Sequence, residues 1–302
     1  MLVKISLVLD RPVVDTVYTA SDIISGHLVV ENDQPLPTSA INNISLIGEA
    51  HCGWIIRRPS KRLDENRNYY TTFEDIPHEG HYECLDLKYY PLNAYPSVLN
   101  PGYHKIQFEF QLPNGGFPST YEGKYGHIRY WIEAQVDTQL MPVNEWPYLA
   151  IVVNGPAHVS NHQLSQRAYN SSTGMLNNQP IYLRCELDTM GQREGQDIPV
   201  HCIVDNQSDK DLILKASLKR QVMYYAPESR RKTTETVVRN ISHIIERTTR
   251  VYKTVQLFVP RDLPVVCHTC PVIDIRYTVS VVVDNPDQSF EMDCELPVIL
   301  ND

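Results

Sequence analysis

Apolar and polar residues alternate with a period of two through most of this 302-residue chain. The first half holds VKISLVLD, SGHLVVEN, INNISLIGEA, HKIQFEFQLP and IRYWIEAQVD, and the second holds IYLRCELD, IPVHCIVDN, LILKASLKRQVMYY, TVQLFVP, IRYTVSVVVD and SFEMDCELPVIL. Each run is short and bounded by Pro, Gly, Asn or Asp, and none carries the periodicity of a helix. The pattern predicts strands throughout and no long helix. Burial on one side only predicts antiparallel sheets packed face to face, because parallel strands covered on both sides read as unbroken apolar runs.

Two of the strands nearly repeat one another. IRYWIEAQVD (Ile128 to Asp137) and IRYTVSVVVD (Ile275 to Asp284) agree at Ile, Arg, Tyr, Val and Asp in one register, 147 residues apart. In such a strand Ile and Tyr share one face and Arg takes the other, so Tyr130 and Tyr277 are expected in the core, with Arg129 and Arg276 facing solvent or a second domain. A fainter echo joins DIISGHLVVEN, from Asp22, to DIPVHCIVDN, from Asp197, when one residue is deleted. Between the halves, residues Asn154 to Pro180 are rich in Asn, Ser and Gln, the composition of a linker or long loop. The chain is therefore expected to be all-β, with two tandem antiparallel immunoglobulin-like β-sandwiches over residues 1–153 and 181–302 joined by a linker over 154–180.

Composition narrows the function classes. With 42% hydrophobic residues a chain of this length can bury a substantial core, and a net charge of −9 is unsuited to neutralising a nucleic-acid backbone. Nucleic acid is not an expected partner. Seven irregularly spaced cysteines suit reduced thiols better than a disulfide framework. MLVKISLVLD reads as a strand rather than a signal peptide, and no stretch approaches the roughly 20 apolar residues of a membrane helix. A soluble, intracellular protein is expected, in which the Asn206-x-Ser208 match meets no glycosylation machinery.

The stretch from Leu99 to Asp137 is the most specific in the chain: Pro101-Gly102, alternating Phe108 and Phe110, Leu112-Pro113, Pro118-Ser119, Gly123 and Gly126 flanking two residues, then Ile128 to Tyr130. It resembles the N-domain signature of the arrestin family, most closely the α-arrestin (arrestin-domain-containing) branch. Gly48 and Trp54 upstream, and Gly195, Asn206 and Ser208 downstream, fall where that family places them, so the resemblance covers almost the whole chain. At the end the family's Pro-Ile-x-Ile-Gly is written Pro297, Val298, Ile299, Leu300, Asn301.

The resemblance implies an arrestin fold and a non-catalytic, cytoplasmic adaptor recruited to the plasma membrane or endosomes. Such an adaptor binds cytoplasmic segments of membrane-protein cargo by β-augmentation or groove binding and directs endocytosis, sorting or ubiquitin-dependent trafficking. Many members recruit HECT-type ubiquitin ligases through Pro-Pro-x-Tyr motifs; a HECT-type ligase is thus an implied partner, although these 302 residues contain no Pro-Pro pair. One member captures thioredoxin through a C-domain cysteine; the matching stretch here, Ser242 to Lys253, has Thr248 and Thr249 and no cysteine, so thioredoxin capture is not expected. The competing class is a constitutive scaffold subunit of a retromer-like sorting coat.

Between Lys215 and Lys253 ten cations face three glutamates in a chain that is negative overall. Lys215, Lys219, Arg220, Arg230, Arg231 and Lys232 are the candidate contacts for acidic or phosphorylated cargo and for peripheral contact with an anionic membrane. The plain alternative is a solvated strand face and hairpin loop. Arg57, Arg58, Lys61 and Arg62 form a second, smaller candidate cluster in an expected loop, where Asp64 and Glu65 offer local neutralisation. The Cys267-His268-Thr269-Cys270 stretch has C-x-x-C spacing, but the nearest further ligands, His78, His81 and Cys84, fall in the other expected domain. No metal, cofactor or catalytic residue is expected, since the sequence carries none of the nucleophile-elbow, zinc-helix or phosphate-loop motifs.

Overall fold

The computed structural model describes residues 3–14, 16–63, 69–156, 159–261, 263–264, 269–285, 287 and 289–301. The expected all-β fold is what forms. The first half contains β1 (Val3–Leu9), β2 (Val17–Tyr18), β3 (Ile23–Asn32), β4 (Leu36–Pro37), β5 (Ile41–Leu63), β6 (Tyr69–Tyr89), β7 (Val98–Leu99), β8 (Gly102–Gln111), β9 (Tyr121–Glu122), β10 (Gly126–Val136) and β11 (Tyr148–Val153). The second contains β12 (Ala168–Leu176), β13 (Gln179–Leu187), β14 (Gly191–Arg193), β15 (Asp197–Asn206), β16 (Leu212–Ala226), β17 (Ser229–Ile245), β18 (Thr249–Phe258), β19 (Ile273–Asn285) and β20 (Phe290–Asn301). The α-helix found among the described residues is one turn, α1 (Asn161–Leu164), closed by a Ser160–Gln163 capping box.

Two compact units result, one made of residues 1–156, 224–231 and 269–273, the other of 157–223, 232–268 and 274–302. The first sandwich sets the sheet β1-β3-β8 against β2-β11-β10-β5-β6, with β9 beside β10 and a separate β4-β7 pair. The second sets β12-β13-β15-β18 against β14-β20-β19-β16-β17. The order β2-β11-β10-β5-β6 matches β14-β20-β19-β16-β17, and β1-β3-β8 matches β13-β15-β18, to which the second sandwich adds the edge strand β12. In each, a short strand runs parallel to the last one, Val17 beside Val152 in the first and Gly191 beside Ile299 in the second. In each, the IRY strand lies between the strand that follows it and the long strand of a hairpin.

Alternation turns one face of these strands into core. On β10 Ile128, Tyr130, Ile132, Ala134 and Val136 are buried, and on β19 Ile275, Tyr277, Val279, Val281 and Val283 are. The buried phenols each need an acceptor. Tyr130 donates to the carbonyl of Pro118 at 2.6 Å, and Tyr277 donates to that of Pro264 at 2.9 Å. The second sequence echo is equally physical. Asn32 closes β3 and donates its amide to the carbonyls of Gln34, Leu99 and Asn100. Asn206 closes β15 and donates to those of Lys210, Ile245 and Glu246. Each amide satisfies carbonyls at strand ends and in the adjoining loop that would otherwise lack this donor.

Two expectations change. Within the stretch 154–180, residues Ala168–Leu176 form β12 rather than linker, paired in register with β13. Only its ends, Ala168 and Leu176, are buried, so an edge strand held by its hydrogen-bond ladder carries no hydrophobic alternation. The cluster from Arg57 to Arg62 lies on β5, paired to β6, and not in a loop. Arg230 to Lys232 lie on β17, beyond a tight turn in which Glu228 has a φ of 58°, in keeping with the hairpin their setting suggested. Asp64, Glu65, Cys267 and His268 lie outside the described residues.

Candidate functional site

Strand periodicity decides which candidate cations can act together. Neighbouring residues point to opposite faces, so Arg57 and Lys61 share one face of β5 while Arg58 and Arg62 share the other. Their neutralising partners come from the facing strand. Arg57 stands opposite Asp75 and Arg58 opposite Glu74; Arg62 bonds Glu74 at 2.9 Å, and the Arg57 guanidinium lies 4.7 Å from the centre of the Phe73 ring. The Arg62 contact holds the Glu74 carboxyl below the usual carboxylate range. All four cations are exposed.

The C-terminal cluster is divided in the same way. Arg230 and Lys232 project from one face of β17 and Arg231 from the other. On β16, Lys215 and Lys219 share the outer row, where Lys215 is ion-paired with Asp284. Arg220 points inward, is 19% exposed and bonds Glu235 at 2.6 Å. Six of the ten candidates, Arg57, Arg58, Lys61, Arg62, Arg230 and Arg231, belong to the first unit, and Lys215, Lys219, Arg220 and Lys232 to the second.

Within the first unit, Arg231 converges with residues that charge counting did not single out. The turn Gly123-Lys124-Tyr125-Gly126 joins β9 to β10 and is closed by the Gly123 amide donating to the Gly126 carbonyl at 3.0 Å. A side chain at Gly123 would run into the Tyr121 and Tyr224 hydroxyls, and one at Gly126 into the backbone of β5, so only glycine fits either end. The turn presents the Tyr125 ring with two cations near its face: Lys124 Nζ at 5.2 Å and the Arg231 guanidinium at 5.9 Å from its centre. Trp54 meets the same ring edge-on at 6.2 Å and donates its indole N–H to Ser229 Oγ at 3.3 Å.

These groups line a recess of about 780 Å³ that also takes in His51, Glu79, Glu122, His127 and Arg129. Arg129 is engaged there by two bonds to Glu122, at 2.6 and 3.0 Å, which hold that carboxyl below the usual range and raise the guanidinium above its own. Burial, with Arg129 next, pushes His127 below the ordinary imidazole range, so it is neutral at physiological pH. Lys124 and Arg231 are then the cations that can receive an acidic group. The Gly-x-x-Gly spacing was the sequence signal for this turn; that Tyr125 would gather cations was not readable from it.

Among the described residues no group of three or more His, Cys, Asp or Glu side chains could hold a metal ion. Cys270 is buried. A hydrogen-bonded row, with His201 on β15 3.0 Å from Thr254 Oγ1 on β18 and 3.2 Å from Asp188 just past β13, copies the connectivity of a catalytic triad. Its carboxylate is 61% exposed, however, whereas the third member of such a triad is buried.

The N-terminal half, residues 5–154, matches the family model described as Arrestin (or S-antigen), N-terminal domain, and residues 177–301 match Arrestin (or S-antigen), C-terminal domain. Arrestin domain-containing protein 4 from Homo sapiens is 24% identical over 292 residues, covering 94% of this chain and 68% of that protein. Thioredoxin-interacting protein from Mus musculus is 24% identical over 299 residues, covering 95% of this chain and 70% of its own length.

Proposed function

Because the chain belongs to the arrestin family, in its α-arrestin branch, we propose that it is a non-catalytic cytoplasmic adaptor that binds cytoplasmic segments of membrane proteins and directs their endocytosis, sorting or ubiquitin-dependent trafficking. The observation that carries the reading is the match of both halves to arrestin domains, which in this family are typically non-catalytic adaptors. The Tyr125 recess supports it with a place for cargo: two cations over one ring suit a carboxylate or phosphate on a flexible segment. Arg230 and Lys232, exposed on the opposite face of β17, are proposed to meet anionic membrane or the acidic flank of the same cargo. Recruitment to the plasma membrane or endosomes, and of a HECT-type ligase, belongs to the same proposal. Among the described residues no helix is long and apolar enough to cross a membrane.

The test is a titration of the full chain and its Arg231→Glu and Arg230→Glu/Lys232→Glu variants with phosphorylated receptor-tail peptides and with anionic liposomes, at low and physiological salt. Arg231→Glu should weaken phosphopeptide binding roughly ten-fold, with strong salt dependence, while the double variant acts chiefly on liposomes. Equal curves for all three proteins remove both sites. Proximity labelling in cells tests the adaptor role itself, and recovery of one fixed stoichiometric complex instead of transient receptors would favour the coat-scaffold class.

A further inference from the structure

We propose that the outer face of the first sandwich around Trp131 docks an extended partner segment through a lysine or arginine side chain. The face lies on β10 and β11, turned away from the buried row. Here Trp131 stands beside Ala150 in the strand register, and Glu133 stands beside Tyr148. A large ring next to a methyl group leaves a hollow, and together with Val13, Tyr148 and Val152 it forms a recess of about 590 Å³. Tyr148 is 67% and Val152 46% exposed. Apolar surface gathered in one hollow of a solvent-facing sheet serves recognition better than it serves the fold.

Charge selects the occupant. Glu49, Glu122 and Glu133 border the hollow, and its one arginine, Arg129, is held by Glu122. Among the described residues, Glu49 is met by His81 at 3.2 Å, an imidazole that is a cation only when protonated. Glu133 is met by the neutral amide of Gln135 at 3.3 Å. Glu49 stands beside Arg129 in the strand register, but that guanidinium is bonded to Glu122, so Glu49 and Glu133 flank the indole with no further fixed cation among the described residues that line the hollow. A lysine or arginine matches both features, since its methylene stem covers the ring and its head reaches the carboxylates. An acidic segment would be repelled here; the hollow shares Glu122, His127 and Arg129 with the Tyr125 recess but takes a group of the opposite charge on the far side of them, and it does not rest on that reading.

The second sandwich supplies an internal control. At the same 147-residue offset, Thr278 stands for Trp131, Pro297 for Ala150 and Glu295 for Tyr148, and the recess there is smaller, about 460 Å³. That sandwich forms without the indole, so the fold does not require one.

The proposal is tested on the full chain by nuclear magnetic resonance of its tryptophan indole N–H groups. Of the three signals, from Trp54, Trp131 and Trp146, that of Trp131 is identified by its loss in Trp131→Phe. The probes are capped tripeptides with Arg, Lys, norleucine or Glu between two alanines. The Arg and Lys probes should shift the Trp131 signal saturably, and norleucine should bind about ten-fold more weakly. The double variant Glu49→Gln/Glu133→Gln, on an exposed face where the fold tolerates neutral residues, should remove that difference. A silent Trp131 signal, equal response to norleucine, preference for the Glu probe, or full discrimination in the double variant would each overturn the proposal.

Discussion

On β10 the outer row reads Arg129, Trp131 and Glu133, all exposed or half-buried; on β19 the matching row reads Arg276, Thr278 and Ser280, with Ser280 fully buried. The inner rows stay alike. Ile and Tyr head both, and both phenols find a proline carbonyl on the chain twelve or thirteen residues before them. A fold written twice in one chain thus separates two kinds of constraint without any alignment of relatives. Inner positions must fill a close-packed core and satisfy a buried hydroxyl, which leaves few solutions. Outer positions that reach water, as Trp131 and Thr278 do, tolerate many residues, so a strong chemical difference there points to use.

The largest effects test whether the inner rows are equivalent. Tyr130→Ala and Tyr277→Ala each remove a ring that is at most 2% exposed, and each should destabilise its sandwich by about 3–5 kcal/mol in urea unfolding. Values differing by more than about 2 kcal/mol would break the equivalence. The next pair sharpens it. Asn206 uses both ends of its amide, because its oxygen also accepts from the Ser208 amide and hydroxyl, whereas the buried Asn32 oxygen has no partner among the described residues. Asn206→Ala should therefore cost more than Asn32→Ala, about 3 against about 2 kcal/mol. Equal losses would show that the extra bonds contribute nothing.

The same contrast explains what the sequence disclosed. Strands with a buried face, such as β3, β10, β15 and β19, announced themselves by alternation, and the Asn that closes β3 and β15 surfaced as a repeat. Elements held by backbone bonding alone left no such trace. Beyond Trp54, β5 and β6 continue as a ribbon whose residues are mostly exposed on both faces, so the cluster from Arg57 to Arg62 reads as loop. β12 was hidden for the same reason. Cation clusters counted along the chain were then cut apart by the two-residue period, and Arg231 found its partner in Tyr125, more than a hundred positions away. Pairing across strands is tertiary information, which a count of charges along the chain cannot contain.

A smaller effect concerns the Tyr277 hydroxyl. Burial pushes this phenol above its ordinary value near 10, with Arg220 pulling the other way. A protonated phenol is the neutral form, so the fold favours it: the contribution is whole below about pH 10 and is lost as pH rises through the higher folded value. Tyr277→Phe should cost about 1 kcal/mol at pH 7 through the missing bond to Pro264 and should flatten the loss of stability above pH 10. An unchanged alkaline slope would assign that loss to other groups, such as Tyr18 and Tyr89, which burial also raises.

The smallest effects come from the two arginines that the repeat shares. Arg129 reaches across to Glu122, with the two side chains 55% and 60% exposed, while Arg276 bonds Asp274 two residues back on its own strand, at 2.7 and 2.8 Å, where the carboxylate is only 10% exposed. Water can replace a guanidinium at Glu122, so Arg129→Gln should change stability by no more than about 0.5 kcal/mol, and high salt should erase even that. Asp274 has little water to turn to. Arg276→Gln leaves its charge less compensated, and the loss should reach about 1–2 kcal/mol, persist in salt and shrink when Asp274→Asn is added, because the neutral amide no longer needs a cation. Urea unfolding of the two single variants and the double variant, at low and high salt, measures all of this. Equal, salt-sensitive losses for Arg129→Gln and Arg276→Gln would mean that the second arginine is as superficial as the first, and that the halves differ on their outer faces only in what those faces bind.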